Sequence, residues 1–373
     1  MLRRLYTINF IDAFISGATT VLVPLLMLER GIDIATIGLV FAAAPFAKAL
    51  VRVAGATIAD SMGDRVMYVF ASVSDLLLSI AYLFSTTAAG FGAGKLLDGA
   101  RESSIWSVIR PSLMAASPEK KHFALTDLLS GRLIYNALGC LAVGALFLIG
   151  GYGLPLFALV CLSAYLVYSS LRLKNFHKAK KSAKLTDLSP FGRSRRFYEI
   201  AGVFTVGSMF YVVAFYMAIP LYLKMSGFSL GEIGLFYAAY YLIQGISLNL
   251  LSHGKMKTGT AALAGVPLYC AGLAGIILAP HALIPAFFLL MAFGDAGLAL
   301  IWEQMNYVAA EKSSKRAIDL SLLVTPSFFG VMAVSWASGL SIAAFGFLHF
   351  FALLALSEIA FAAWALRIGS MRE

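Results

Sequence analysis

The sequence predicts an all-α integral membrane protein with twelve transmembrane helices, arranged as two parallel six-helix repeats. Three observations lead to this prediction: the composition, the length of the apolar runs and an internal repeat. Of the 373 residues, 60% are hydrophobic and only 13% are charged, and the mean hydropathy is +0.84. A soluble domain of this length needs a much larger polar fraction to cover its surface.

The apolar runs are long enough to cross a hydrocarbon core of about 30 Å. Because lipid offers no hydrogen-bond partner to the backbone, these runs must be helical, and they lack the alternating pattern of barrel strands. The first run carries Asp12 and has no small-residue cleavage site, so it is a span and not a signal peptide. We predict spans near 5–28, 34–59, 66–87, 89–116, 122–149, 152–173, 198–224, 230–252, 259–279, 282–309, 317–343 and 346–367.

The basic residues predict the orientation and the domain boundaries. With the N-terminus inside, 21 of the 29 lysines and arginines fall in cytoplasmic segments, and only Arg30 and Lys224 fall outside. We therefore expect a cytoplasmic (inner) membrane protein with both termini cytoplasmic. Residues 1–173 form an N-terminal six-helix bundle, 174–197 a basic cytoplasmic linker, and 198–373 a C-terminal six-helix bundle. The linker could also contact anionic lipid, although the positive-inside bias already explains its charge.

The net charge of +10 does not indicate a nucleic-acid partner, because it resides in these short loops. The three cysteines lie in apolar spans without metal-ligand spacing, so we expect no metal and no cofactor. No Walker or HExxH motif is present, which argues against ATP drive and against an enzyme. Gly294-Asp295 resembles an intramembrane aspartyl protease motif, but Ala292 occupies its first position. An intramembrane enzyme is therefore only a remote alternative.

The sequence repeats with an offset of 196 residues. Residues 24–43 and 220–239 are identical at eight of twenty positions, and the same offset pairs Gly63 with Gly259 and Trp106 with Trp302. The chain has only four tryptophans, so the last match is informative. Six predicted spans separate the two copies. An even number of spans keeps both copies in the same orientation, which predicts parallel repeats about an axis along the membrane normal.

The loop between the second and third predicted spans carries a family signature. It reads Ala-Thr-Ile-Ala-Asp-Ser-Met-Gly-Asp-Arg over residues 56–65, and Ala59, Asp60, Gly63 and Arg65 match the pattern of the major facilitator superfamily. The chain thus resembles this family of transporters. The resemblance implies alternating access, with Asp60, Gly63 and Arg65 forming a cytoplasmic gate in which Asp60 bridges toward residues 316–319. The family's antiporter motif of span five is absent from 139–151.

Ionisable side chains inside predicted spans are the main candidates for function. Each costs several kcal/mol in lipid unless it is paired or hydrated. The helical rise places residues of five spans in one layer somewhat inside the midplane. We expect a proton-coupling set consisting of Asp12, Asp98, Glu102 and Asp295. We expect a second set that binds an anionic group or balances these acids, consisting of Lys48, Lys95, Arg101 and Arg132.

Asp12 is the leading proton carrier, because its own helix offers no opposite charge within one turn. The alternative is that these charges are structural ion pairs, such as Lys95 with Asp98, Asp98 with Arg101, or Asp127 with Arg132. Asp75 and Glu358 fall in spans that the family resemblance places toward lipid, and the sequence offers no reason for them. In the second half, polar and aromatic side chains predict a wall for an organic solute: Tyr237, Tyr241, Gln244 and Trp302.

These patterns predict a monomeric secondary transporter that works by alternating access. We expect it to move a small organic solute across the cytoplasmic membrane in a transport cycle that is coupled to protons. An uncoupled facilitator, in which the buried charges are purely structural, and a drug/proton efflux antiporter are the alternatives. The sequence does not distinguish import from export or identify the solute.

Overall fold

The computed structural model of the chain describes residues 2–116, 121–175, 189, 191–254, 257–310 and 316–370. Throughout this part of the chain the regular structure is helical. The helices of the first half are α1 (Leu2–Glu29), α2 (Ile34–Phe41), α3 (Ala43–Met62), α4 (Asp64–Phe84), α5 (Ala88–Ala116), α6 (Lys121–Gly150) and α7 (Gly153–Leu171). Those of the second are α8 (Arg195–Met209), α9 (Tyr211–Val213), α10 (Ile219–Met225), α11 (Leu230–His253), α12 (Thr258–Leu278), α13 (Ile284–Ala310), α14 (Arg316–Phe345) and α15 (Phe347–Ser370).

Within the described ranges, eleven helical stretches are long and apolar enough to cross a membrane. The helix α5 is also 29 residues long, but it carries more charged side chains than any other described helix: Lys95, Asp98, Arg101, Glu102 and Arg110. Its length suits a twelfth span whose polar side chains must face the protein interior. The predicted all-helical membrane fold is confirmed, while the symmetry of the two repeats stays a prediction.

Two interruptions shape the helices near the centre of the molecule. The second predicted span is divided at Ala42 into α2 and α3. The seventh contains a π-helical turn over Ala214–Ala218, between α9 and α10. Pro220 follows this turn and has no N–H for the carbonyl of Tyr216, so the regular hydrogen-bond ladder cannot continue through it. The wider turn places Phe215 and Tyr216 against the centre of the protein.

The turns of the two aligned segments have the same local structure. Gly31 and Gly227, which the repeat pairs, have positive φ angles of 76° and 97°, a conformation that favours glycine. Two residues later, a side chain caps the next helix in each copy. Asp33 accepts from the N–H of Thr36 at 2.9 Å, and Ser229 accepts from that of Glu232 at 3.2 Å. The aligned residues of the two copies therefore form the same glycine turn, followed by the start of a helix.

The two halves meet through close helix pairs. Helix α6 packs against α11, and α14 packs against α2 and α3. Small residues allow the approach: a Cβ on Gly38 would lie 2.7 Å from the Cα of Gly339. On the other interface, a Cβ on Gly144 would lie 3.1 Å from the carbonyl oxygen of Gly231. Such glycine contacts let helix backbones pack directly in a membrane, where lipid provides no hydrophobic drive.

Close packing at glycine also predicts the effect of a substitution within the first half, where α1 packs against α6. A Cβ on Gly139 would collide with the carbonyl oxygen of Phe14, whereas a Cβ on Gly92 meets no atom within 4 Å. We expect Gly139→Ala to destabilise the protein by about 1–3 kcal/mol, because the backbones must separate. The matched variant Gly92→Ala, which introduces no clash within α5, should be neutral or stabilising by up to about 1 kcal/mol. Thermal unfolding in detergent measures both, and equal melting temperatures would contradict this packing.

Candidate functional site

A central cavity lies between the first seven helices and the remaining ones, and it has two adjoining lobes. The cationic lobe, of about 240 Å³, is lined by the basic side chains Lys48, Arg52, Lys95 and Arg110, among others. The carboxylate lobe, of about 350 Å³, is lined by Asp295 and Glu358 together with Tyr241 and Gln244. The two lobes share nine lining residues: Ser16, Arg101, Glu102, Trp106, Ser208, Val212, Tyr216, Trp302 and Glu303.

Arg101 of α5 is the centre of a buried ion cluster beside the cavity. Its guanidinium pairs with Asp12 of α1 and, at 2.9 Å, with Asp98 of its own helix. Lys95 pairs with the other oxygen of Asp98 at 3.1 Å. These three residues of α5 are spaced three apart, so their side chains lie on one helical face and reach each other. Two of the ion pairs considered from sequence, Lys95–Asp98 and Asp98–Arg101, are therefore formed.

Asp12 is held by two arginines from two different helices. Its Oδ1 accepts from Arg101, and its Oδ2 accepts from Arg132 of α6 at 2.7 Å. Arg132 also donates to the backbone oxygen of Asn9 at 3.0 Å. It does not pair with Asp127, whose Oδ1 accepts from Asn249 at 3.2 Å instead. The counter-ions of Asp12 thus come from neighbouring helices and not from its own helix, and its role as a proton carrier stays a prediction.

Asp75 of α4 has a structural reason that the sequence did not reveal. Its Oδ1 lies 3.6 Å from Nε of Arg101, and its Oδ2 accepts from the hydroxyl of Ser163 at 3.1 Å. Helix α4 packs against α5 and α7, so this carboxylate faces the bundle interior. The full cluster contains three basic and three acidic side chains, Lys95, Arg101, Arg132, Asp12, Asp75 and Asp98, and is thus balanced in formal charge.

The remaining cations of the cationic lobe differ in their partners. Lys48 pairs with Glu102 at 2.6 Å. Arg110 pairs with Glu303 of α13 at 2.6 Å, which is an ion pair between the two halves. Arg52 lies one turn beyond Lys48 on α3 and is only 4% exposed. It makes one long hydrogen bond, 3.5 Å from Nη1 to the backbone oxygen of Ser103, and forms no ion pair with a described residue.

The carboxylate lobe contains two buried acids without basic partners. Three donors converge on Oδ2 of Asp295: the hydroxyls of Tyr211 at 2.8 Å and Tyr240 at 2.7 Å, and Nε2 of Gln244 at 2.6 Å. Glu358 of α15 is 2% exposed, and its Oε1 has no hydrogen-bond partner. Within the described ranges, neither acid forms an ion pair with a lysine or arginine. In the Arg101 cluster, by contrast, every acid has a basic partner.

The residues predicted to form an aromatic wall are divided between the cavity and the core. Tyr241, Gln244 and Trp302 line the cavity. Trp302 is stacked on Phe204, with ring centroids 4.0 Å apart. Tyr237 is fully buried instead, and its hydroxyl donates to the carbonyl of Phe215 at 2.8 Å. Tyr237 therefore lies in the core, behind the residues that form the cavity surface.

The predicted gate residues contact the end of α7. Gly63, which has a φ of 92°, follows the last residue of α3, and α4 begins at the next residue, Asp64. The backbone N–H of Arg65 donates to Oδ1 of Asn175 at 3.0 Å, and its guanidinium donates to the carbonyl of Leu171 at 2.7 Å. These contacts lie within the first half. The side chain of Asp60 lies outside the described residues, as does that of Arg316, so the predicted bridge between the halves stays a prediction.

Arg52, Arg110, Glu303 and Glu358 line the cavity but are not among the site residues that we predict from the sequence. All four were visible as ionisable groups within apolar spans, which was the available signal. Their partners were not visible, because a paired and an unpaired charge look alike in a linear sequence.

The cluster around Arg101 generates a stability prediction. Arg101→Met should destabilise the protein by about 3–5 kcal/mol, because it leaves buried carboxylates without their shared cation. The matched control is Arg195→Met. Arg195 forms an ion pair with Glu199 on α8, but its side chain is 89% exposed, so the loss should be below about 1 kcal/mol. Thermal unfolding in detergent compares the two, and a similar small shift for both variants would contradict a structural role for Arg101.

Comparisons with known proteins agree with this architecture. The chain is similar to the crystal structure of the human organic anion transporter MFSD10 (TETRAN), with a TM-score of 0.70 and 14% identity, covering 100% of this chain and 99% of that one. It is also similar to a mutant of the nucleoside transporter NupG, with a TM-score of 0.71 and 14% identity, covering 99% and 98%. No curated protein sequence matches it. The sequence profile of the Major Facilitator Superfamily matches residues 5–344, and the chain belongs to this family of multi-pass membrane transporters.

Proposed function

We propose that the protein is a proton-coupled secondary transporter that moves a small organic solute by alternating access. The single observation that carries this proposal is the pair of buried acids, Asp295 and Glu358, that line the cavity without a basic partner among the described residues. A buried carboxylate without a counter-ion favours its neutral, protonated form. Such a group binds a proton when the cavity is dry and releases it when water or a new partner arrives. This behaviour suits a proton carrier.

The acids of the first half suit a different role. Asp12, Asp98 and Glu102 each have at least one basic partner at ion-pair distance. Protonation of such an acid would leave a buried cation unpaired, which is costly in a low-dielectric interior. We therefore assign the transported proton to Asp295, which was among the sequence-based candidates, and to Glu358. The Arg101 cluster becomes the fixed frame against which the second half moves.

Alternating access requires contacts between the halves that break and re-form. The ion pair of Arg110 with Glu303 joins α5 to α13 beside the cationic lobe. Oε2 of Glu303 and Nε of Arg110 are buried without hydrogen bonds, so neither group is saturated by its partner. An ion pair that leaves part of each group unsatisfied can be replaced by water when the halves separate. We assign this pair to closure of the cavity on one side.

The setting of the proposed function follows the sequence prediction. We place the protein in the cytoplasmic (inner) membrane as a monomer, with both termini cytoplasmic. Residues 1–173 and 198–373 are its two moving bundles, and 174–197 is the linker, which can contact anionic lipid. The fold neighbours are named as transporters of organic anions and of nucleosides, which supports a small organic solute for this chain. The partners are then the solute, protons and lipid, with no nucleic acid.

Proton coupling predicts different results for the two kinds of acid. Asp295→Asn and Glu358→Gln should abolish accumulation driven by a pH gradient and preserve solute-for-solute exchange, because exchange moves no net proton. Asp12→Asn should weaken both activities, because it removes the charge that holds Arg101 and Arg132. The measurement is uptake and counterflow in proteoliposomes, using the solute that most raises the melting temperature in a metabolite screen.

The control for these variants is Glu199→Gln, which removes an acid outside the cavity and should keep both activities. Wild-type transport that ignores the pH gradient would contradict proton coupling. In that case the uncoupled facilitator, which the charge balance of the Arg101 cluster favours, takes its place. If Asp295→Asn and Glu358→Gln both accumulate solute normally, the assignment of the proton to these two acids is wrong.

The ion pair between the halves predicts charge-swap rescue. Arg110→Glu should reduce transport strongly, because two acids would face each other across the closed interface. The double variant Arg110→Glu with Glu303→Arg restores opposite charges and should recover most of the activity. Counterflow in proteoliposomes measures the three proteins, with expression and melting temperature as checks on folding. Equal activity of the single and double variants would show that this contact does not take part in closure.

A further inference from the structure

We infer that the solute is an organic anion whose carboxylate or phosphate binds Arg52 in the cationic lobe. This inference rests on the proposed transport function and names the substrate class of the same cavity. The first observation concerns the charged side chains that line the cavity. Every other basic side chain that lines the cavity forms an ion pair with an acid, and Arg52 is the exception among the described residues.

The position of Arg52 is unusual for an arginine. Its side chain is more than nine-tenths buried, lines the cavity and has no partner for Nε. Burying a charge without a partner costs several kcal/mol. A purely structural role therefore does not account for the buried position of Arg52. The guanidinium is always charged and presents donors in a fork that matches the two oxygens of a carboxylate or phosphate. A bound oxyanion would satisfy this group.

The acids that line the same lobe are already engaged, Asp98 by Lys95 and Arg101. Glu102 pairs with Lys48, which lies one turn before Arg52 on α3, and Glu303 pairs with Arg110. For either acid to neutralise Arg52, it would have to leave its present partner unpaired. Arg52 therefore keeps a positive charge that no acid lining this lobe neutralises. An anionic solute removes the excess without breaking an existing pair.

The rest of the lobe suits an apolar or aromatic body attached to the anionic group. Phe41, Trp106, Tyr216, Trp302 and Phe328 line the same space as Arg52. Aromatic side chains provide large flat contact surfaces and bury apolar groups well. The lobe continues into the carboxylate lobe, so a solute at Arg52 can extend toward Asp295 and Glu358. Protonation of those acids would prevent repulsion of an anionic solute, which links anion binding to proton uptake.

The test uses purified full-length protein in detergent and three probes that share one ring. Benzoate and phenyl phosphate carry the two candidate groups, and benzamide is the uncharged counterpart. Thermal shift and titration calorimetry measure binding. We expect one or both anions to raise the melting temperature of the wild type by mass action, and benzamide to leave it unchanged. A shift by only one anion supports the inference and identifies the group.

Variants of Arg52 locate the binding group. Arg52→Gln should weaken anion binding by about tenfold or more, because charged hydrogen bonds are lost. Without ligand, this variant should melt no lower than the wild type, since it removes an unpaired buried charge. Arg52→Lys keeps the charge without the fork and should bind with intermediate affinity, which provides a second folded variant. The control Lys174→Gln removes an exposed cation outside the cavity and should bind as the wild type does.

Three results would overturn the inference: benzamide stabilises as well as benzoate, neither anion stabilises, or Arg52→Gln keeps full anion binding. Because binding in detergent needs no pH gradient, the outcome is separate from proton coupling. Anion binding without gradient-driven uptake would retain this site and reject the proposed coupling. Gradient-driven uptake of an uncharged solute, with no anion binding, would retain the proposed function and reject this site.

Discussion

The guanidinium of Arg101 organises the first half of the protein, because it is a buried cation that needs carboxylates from several helices. It pairs with Asp12 of α1 and Asp98 of α5, and it lies 3.6 Å from Asp75 of α4. Arg132 of α6 joins through the second oxygen of Asp12. A charge in lipid is tolerated only where partners enclose it, so these four helices must stay together and in register.

This charge-balanced cluster gives the first half a different electrostatic character from the second half. The six charges around Arg101 balance one another, and each would become costly if its partners moved away. The second half carries far fewer buried charges, and its acids, Asp295 and Glu358, are surrounded by hydroxyl, amide and apolar groups. Their protonation state can change without stranding a cation. In the proposed function, the first half therefore supplies a fixed set of ion pairs and the second half supplies the acids whose protonation changes.

The contacts between the halves are of two physical kinds. Glycine-lined interfaces, such as Gly38 against Gly339, depend on close backbone packing and contain no charge that must be desolvated or hydrated. The ion pair of Arg110 with Glu303 depends on the exclusion of water. Glycine packing contacts tolerate small rocking motions. The ion pair, by contrast, is either closed or hydrated. This difference is suited to a cavity that alternates between two states.

The sequence by itself determined the membrane setting and the helical class, because hydropathy over about twenty residues is a local property. It also identified a family resemblance that the family profile confirms, and it marked the ionisable residues that enter the cavity. Local spacing even predicted the pairs within α5, Lys95–Asp98 and Asp98–Arg101, since residues three apart share a helical face.

Only the tertiary structure decided which charges have partners. Asp12 looked isolated along its own helix and is in fact held by two arginines, whereas Asp295 and Arg52 have no ionic partner among the described residues. Tyr237 and Tyr241 are one turn apart, yet one is buried behind the wall and the other lines it. The physical reason is that ion pairing and burial in this bundle depend on neighbouring helices distant in sequence, and their rotation and depth are set by packing rather than by local pattern.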